Sequence, residues 1–84
     1  MPYIKERLQF DNILNQFETI PTKGDLEYCI FKLMKIYMKD KKVSYSELHN
    51  TVYAAIHCGH EFERRFLDKR ESEAMAENGD VETC

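Results

Sequence analysis

The run His57-Cys58-Gly59-His60-Glu61 holds the side chains of this sequence that are best suited to bind a metal ion. Residues three or four apart are neighbours on a helix, so His57 would lie near both His60 and Glu61. Two such ligands can hold zinc, but a complete site needs three or four ligands from the protein. The others would have to come from another helix or subunit. We therefore expect no metal site, with His57, His60 and Glu61 as weak candidates.

Cys58 lies in the same run and is the candidate nucleophile. A catalytic cysteine needs an activating base and a group that stabilises the oxyanion, and no glycine-rich turn accompanies Cys58. Within a helical stretch, a cysteine more often serves as a small buried side chain. The three cysteines of the chain also lack metal-ligand or redox spacing, so we expect reduced thiols. We expect a protein that is not an enzyme and has no cofactor.

Arg64 and Arg65, followed one turn later by two more basic residues, form the densest positive cluster. Guanidinium groups recognise phosphate and carboxylate groups well. One interpretation is a site for an anionic small molecule between subunits, with Arg64, Arg65 and Tyr53 as its contacts. The other is a solvated face on which interleaved acidic residues neutralise the arginines, for example by pairing Glu61 with Arg65. Both interpretations remain open.

These candidate residues lie on a segment, residues 44–79, that is predicted to form one long helix. Ser44 and Glu47 form a capping box at its start, and Asn78-Gly79 is a stop signal at its end. Apolar or small residues recur at steps of four and three, which is the spacing of a helix face that packs on another helix. They are Leu48, Val52, Ala55, Gly59, Phe62 and Phe66. We expect a packing helix of about 23 residues and a charged extension from residue 68 whose helicity is open.

Two shorter helices are predicted before it. Asp11 is a natural N-cap for a helix over residues 12–20, which Pro21 would end. Thr22 and Asp25 then predict the start of a second helix, over about residues 23–40. Apolar residues cover most of the circumference of this second helix, so it is either central in the fold or shared with another subunit.

The fold class that follows is all-α, a compact domain of three principal helices with a long C-terminal helix. The chain has 84 residues, of which 43% are hydrophobic and 32% charged, so we expect a single soluble domain over residues 1–84. Its core should span about residues 10–67, followed by the charged extension over 68–84. A chain this short gains much from oligomerisation, and we expect a homo-oligomer.

Charge and hydropathy exclude several other classes. The net charge is -3, which argues against broad binding to nucleic acid because that binding needs clustered positive charge. No run approaches 18 apolar residues, and the N-terminal residues lack the apolar core of a signal peptide. We therefore expect no membrane association and a cytoplasmic location.

Aromatic and methionine side chains are more numerous than a small core requires, and both types are enriched at protein interfaces. The position of Gly59 inside a helix also calls for an explanation, because glycine there destabilises the helix by about 1 kcal/mol relative to alanine. Close approach of another backbone and simple tolerance of glycine are both open. The residues that we predict at an interface between subunits are Tyr28, Phe31, Met38, Ala55, Gly59, Phe62 and Phe66.

Four motifs run through the chain in order. They are Met1-Pro2-Tyr3-Ile4, Gly24-Asp25-Leu26-Glu27-Tyr28, Glu61-Phe62 with Arg64-Arg65, and Glu77-Asn78-Gly79-Asp80-Val81. In these motifs the chain resembles a family of small proteins from phages, prophages and gut bacteria that is carried as a domain of unknown function. The resemblance implies an α-helical domain with an accessory role, and it brings no established activity, cofactor or catalytic residue. Many relatives carry a proline near position 69, where this chain has Lys69, so a break in the long helix stays open.

Taken together, these features predict a small non-enzymatic interaction protein of phage or mobile-element type. We expect it to act on a host protein in the cytoplasm of the host cell, as an accessory or counter-defence factor. The alternative is an oligomeric sponge that sequesters an anionic nucleotide signal in a pocket between subunits.

Overall fold

The computed structural model describes residues 2–79 and 81, and every regular element in these residues is a helix. Helix α1 spans Leu8–Leu14, α2 spans Lys23–Met38 and α3 spans Tyr45–Phe62. A π-helical turn over Glu63–Leu67 follows α3, and α4 spans Asp68–Asn78. The backbone is helical at both junctions, so α3, the π turn and α4 form one long C-terminal helix. The predicted all-α class with a long C-terminal helix is confirmed.

The starts of α2 and α3 are set by their N-cap side chains, as predicted. Thr22 Oγ1 accepts a hydrogen bond from the backbone N–H of Asp25 at 3.1 Å. Ser44 Oγ accepts one from the N–H of Glu47 at 3.2 Å. Each bond satisfies a donor that the first helical turn leaves without a partner. Helix α2 ends at Met38, slightly before the predicted end near residue 40.

The prediction for α1 is wrong in both position and length. The helix begins at Leu8, and Asp11 lies inside it, where its N–H bonds to the carbonyl of Arg7 at 2.9 Å. It ends at Leu14, and residues 17–20 are not helical. A short helix is marginal in water unless it packs on something. No residue of α1 is buried, and α1 packs on no other helix of the described residues that could stabilise a longer helix.

The long C-terminal helix sets the dimensions of the molecule. Its three segments contain 18, 5 and 11 residues, so it is about 51 Å long at about 1.5 Å per residue. The longest dimension of the chain is 52 Å. The charged extension is therefore helical as far as Asn78, and Lys69 does not break it. Gly79, with a φ of 87°, ends the helix as predicted, while residues 80 and 82–84 lie outside the described part.

Helices α2 and α3 form the only pair of separate helices that pack together within the described residues. A connection of six residues, 39–44, joins them. Thr51 on α3 is the one buried residue in the described part of the chain, and its hydroxyl donates to the carbonyl of Glu47 at 2.7 Å. The half-buried residues of these two helices are Cys29, Met34 and Met38 on α2 and Glu47 and Ala55 on α3.

The chain is more open than the compact domain that the sequence predicts. Its radius of gyration is 17.2 Å, whereas about 12 Å is typical for a compact chain of this length. Its accessible surface is 8138 Å², against about 5,200 Å² for a compact monomer of this mass. Because α3, the π turn and α4 form one continuous helix, α4 cannot fold back on α2. No hydrophobic side chain among the described residues is buried, so one chain forms an open helical bundle.

Candidate functional site

Four side chains form a polar cluster where the N-terminal segment meets the long helix. The hydroxyl of Tyr3 donates to Oε1 of Glu61 at 3.0 Å and accepts from Nη1 of Arg65 at 3.0 Å. Arg64 forms an ion pair with Glu61, in which its Nε donates to Oε2 at 3.3 Å. We call Tyr3, Glu61, Arg64 and Arg65 the Tyr3 cluster. It joins residues that are about 60 positions apart in the sequence.

The hydrogen bonds of the Tyr3 cluster favour the charged forms of the Glu61 carboxyl and the Arg64 guanidinium. The hydrogen bond from Arg64 lowers the pKa of the Glu61 carboxyl below its ordinary value, and the Tyr3 hydroxyl lowers it further. The same ion pair raises the pKa of the Arg64 guanidinium. A carboxylate held in this way is committed to its partners, because hydrogen bonds to the charged form favour that form. Glu61 thus has two hydrogen-bond partners, and Arg64 is matched by an opposite charge.

The Tyr3 cluster coincides with the π turn. The N–H of Asp68 bonds to the carbonyl of Glu63, five residues earlier, which is one residue more than in an α-helix. Single π-helical turns are rare in proteins, and many of those that occur lie at functional sites. The guanidinium of Arg65, inside the turn, lies 5.3 Å from the ring centre of Phe66. The phenyl rings of Phe66 and Phe62 lie 4.7 Å apart. The π turn and the last residue of α3 thus present two arginines and two exposed phenylalanines side by side.

A second group of side chains forms a ladder along α3. The rings of Tyr45, His49, Tyr53 and His57 follow one another at four-residue spacing, with centres 5.7, 4.3 and 5.9 Å apart. Beside this aromatic ladder lies an open groove of about 280 Å³. Its lining residues are Asn50, Tyr53, Ala54, His57 and Cys58. The groove is a shallow surface on one helix face and does not enclose a ligand.

The predicted metal candidates are divided between these two groups. His57 belongs to the aromatic ladder, whereas Glu61 belongs to the Tyr3 cluster. Within residues 2–79 and 81, no three side chains of His, Cys, Asp or Glu come together in a way that could hold a metal ion. His57, His60 and Glu61 therefore do not assemble with a further ligand in this part of the chain.

The predicted ligand contacts are also separated. Tyr53 precedes Arg64 by eleven positions on one helix, which corresponds to about 16 Å along its axis. Tyr53 lines the groove, while both arginines belong to the Tyr3 cluster. The acidic neutralisation that we considered is present at Arg64, since Glu61 pairs with it and reaches Arg65 only through Tyr3. One chain therefore does not bring Tyr53, Arg64 and Arg65 into one site.

The predicted interface residues lie largely on the surface. Tyr28 and Phe31 on α2 are 68% and 64% exposed, and Phe62 and Phe66 also face solvent. Gly59 has open space around it, because a Cβ built there would meet no other atom within 4 Å. Helix α2 therefore does not approach Gly59 closely. Met38 on α2 and Ala55 on α3 differ from the others, since both are half-buried.

Sequence reasoning did not identify Tyr3 as a contact of the long helix. Nothing in local spacing relates Tyr3 to Glu61, because the two residues are 58 positions apart. The available signal was the resemblance, since Tyr3 belongs to the first quoted motif and Glu61, Arg64 and Arg65 to the third. The structure shows that these two motifs meet. Met1 of the first motif and Asp80 of the last lie outside the described residues.

Fold and surface together define a small all-helical protein whose apolar helix faces are uncovered. No helix among the described residues has the length and apolar character needed to cross a membrane. The chain belongs to the family described as a domain of unknown function, DUF6899, whose model matches residues 1–81. No curated protein matches the chain. No solved structure matches it either.

Proposed function

We propose that this protein is a small non-enzymatic interaction protein whose exposed helix faces bind other proteins. In the phage or mobile-element setting that the motifs imply, the partner is a host protein in the host cytoplasm, and the role is accessory or counter-defence. The observation that carries the proposal is the large exposed surface, in which no hydrophobic side chain of the described residues is buried. The chain exposes 8138 Å², which is about 2,900 Å² more than a compact monomer of its mass.

The size of this excess favours a protein as the partner. Burial of apolar surface contributes about 25 cal/mol per Å², and a standard protein interface covers about 800 Å² on each side. The excess surface of about 2,900 Å² is therefore more than three times the area that one protein buries in a standard interface. A small molecule in the groove beside the aromatic ladder, which holds about 280 Å³, would leave most of that surface in water.

The side chains best placed to contact a partner are Tyr28 and Phe31. They lie three residues apart on α2 and share a helix face, and both rings are mostly exposed. Exposed aromatic rings contribute a large part of the binding energy at many interfaces.

A pulldown with matched variants tests the proposal. The tagged full chain should retain a defined host protein, and the double variant Tyr28→Lys with Phe31→Lys should lose it. The control is Lys23→Ala with Glu27→Ala, which changes two exposed charged residues of the same helix. Circular dichroism should show the same helix content in all three proteins. Equal retention by the aromatic variant, or no retention by the native chain, would overturn the proposal.

The nucleotide sponge makes a different prediction. Its contacts, Tyr53, Arg64 and Arg65, would have to come from two chains, because they are far apart in one. Thermal unfolding with cyclic nucleotides and related signals should show no stabilisation if the protein only binds proteins. A stabilisation that the variant Arg64→Ala with Arg65→Ala abolishes would favour the sponge instead.

A further inference from the structure

Two parts of the molecule carry opposite charge. The first part, which we call the lysine end, covers residues 32–42 and contains a single acidic residue, Asp40. Its basic residues are Lys32, Lys35, Lys39, Lys41 and Lys42. The second part is α4, which carries four acidic residues against two basic ones. Its acidic residues are Asp68, Glu71, Glu73 and Glu77. The lysine end therefore has a net charge of +4 and α4 a net charge of -2.

One chain cannot bring these two parts together. The lysine end lies where α3 begins, and α4 lies at the far end of the same long helix. From residue 44 to residue 71 the helix is about 40 Å long. Among the described elements, α4 contacts only the π turn. Of its carboxylates, Glu73 is paired, with Arg70 at 3.2 Å, and Asp68, Glu71 and Glu77 have no ion pair within the described residues.

We infer that a second copy of this chain lies antiparallel along the long C-terminal helix, with α4 of each copy against the lysine end of the other. The inference rests on the proposed function, because it names one of the proteins that cover the exposed surface. A two-fold symmetric dimer uses the same contact twice, so both charge pairs form together. A parallel dimer would instead place α4 on α4 and lysines on lysines, and like charges oppose association.

The length of the helix fits this arrangement. Its middle falls between residues 61 and 62. An overlap centred there places residue 77 opposite about residue 46, next to the lysine end, and residue 71 about 9 Å further along the helix. The C-terminal part of α4 is therefore the part that meets the lysine end. Gly59 lies close to the middle, where two antiparallel helices would meet most closely. Its open surroundings leave room for a second backbone.

The area also fits. The long helix exposes apolar side chains along most of its length, each between 37% and 65% exposed. They are Leu48, Val52, Ile56, Phe62, Phe66, Leu67 and Met75. Permanent dimers bury about 1,000 to 2,500 Å² per chain. A second copy can therefore cover much of the excess surface of about 2,900 Å² and still leave Tyr28 and Phe31 on α2 for another partner.

Charge reversal on the full chain tests the inference. One variant replaces Lys39, Lys41 and Lys42 with Glu, and the other replaces Glu71, Glu73 and Glu77 with Lys. The native chain should have twice its 10.0 kDa mass in sedimentation analysis. Each variant alone should dimerise roughly tenfold more weakly or worse, because attraction becomes repulsion. Mixing them should restore a dimer with one copy of each, detectable by native mass spectrometry. The variant Lys23→Glu with Glu27→Lys reverses an ion pair on α2 and should not change the dimer.

Carbodiimide cross-linking of the native chain gives a second measurement. Amide bonds between the lysines of residues 39–42 and the glutamates of α4 must join two chains, because about 40 Å separates these groups within one chain. A native chain that stays monomeric at every concentration, or reversed variants that dimerise as tightly as it does, would overturn the inference. A monomer that still retains a host protein through Tyr28 and Phe31 overturns only the dimer. A dimer that retains no host protein overturns only the proposed function.

Discussion

The hydroxyl of Tyr3 donates a hydrogen bond to Oε1 of Glu61, and the two oxygens lie 3.0 Å apart. The same hydroxyl accepts from Arg65 at 3.0 Å, so one oxygen bridges an acid and a base on the long helix. Tyr3 thereby holds the segment before α1 against the junction of α3 and the π turn. The position of this segment depends on exposed polar contacts, which are individually weak.

The first prediction concerns Tyr3→Phe, which keeps the ring and removes both hydrogen bonds. We expect amide hydrogen exchange in residues 61–67 to become faster, with a loss of about 0.5 to 1 kcal/mol in the free energy of local opening. Tyr45→Phe is the matched control, because Tyr45 is 82% exposed and its ring contact with His49 would remain. Unchanged exchange in Tyr3→Phe would show that the bridge does not hold the π turn.

The second prediction is the pH dependence of this bridge. The hydrogen bond from Arg64 is the largest cause that lowers the pKa of Glu61, and the Tyr3 hydroxyl adds to it. Because the folded pKa lies below the ordinary value of 4.5, the stabilisation is present above that pH and is lost as the pH falls through the folded pKa. NMR titration of the carboxyl carbon should show a lowered midpoint. Arg64→Ala should raise this midpoint more than Tyr3→Phe, and a native midpoint at 4.5 would contradict the ion pair.

The third prediction concerns the start of α3. Ser44→Ala removes the oxygen that accepts from the N–H of Glu47, and we expect a loss of about 1 kcal/mol in the free energy of unfolding. Ser46→Ala, in the first turn of the same helix, should be neutral or slightly stabilising because alanine is the better helix former. Urea unfolding of the two variants at one protein concentration measures the difference. Equal stability would mean that the cap contributes nothing.

The starts of α2 and α3 could be predicted from sequence because an N-cap is local chemistry. Thr22 and Ser44 each need only a donor three residues ahead, and the chain supplies it. Asp11 is also a residue type that is preferred at the N-cap position, but the helix around it begins earlier, at Leu8. Without packing, a capping residue alone does not fix where a short helix begins.

The Tyr3 cluster, the π turn and the open shape could not be predicted in the same way. Tyr3 meets Glu61 and Arg65 through the tertiary fold, and no periodicity relates residues so distant in sequence. The apolar spacing of α3 indicates that a helix face needs a partner, but it does not say whether the partner belongs to the same chain. In this chain α2 covers part of that face, and Phe62 and Phe66 remain exposed.

Gly59→Ala separates the stability of one chain from its association. No atom lies within 4 Å of the position that a Cβ would take, so the methyl group causes no clash within the chain. Alanine should therefore raise the free energy of unfolding by about 1 kcal/mol at low protein concentration, where only the helix propensity counts. If a second helix approaches Gly59, the same methyl group should weaken the dimer at high concentration, because it separates the two backbones. Urea unfolding and sedimentation on the same samples measure both effects. A loss of stability in the dilute chain would mean that Gly59 is required within the monomer, and an unchanged dimer would place the closest approach of the two helices elsewhere.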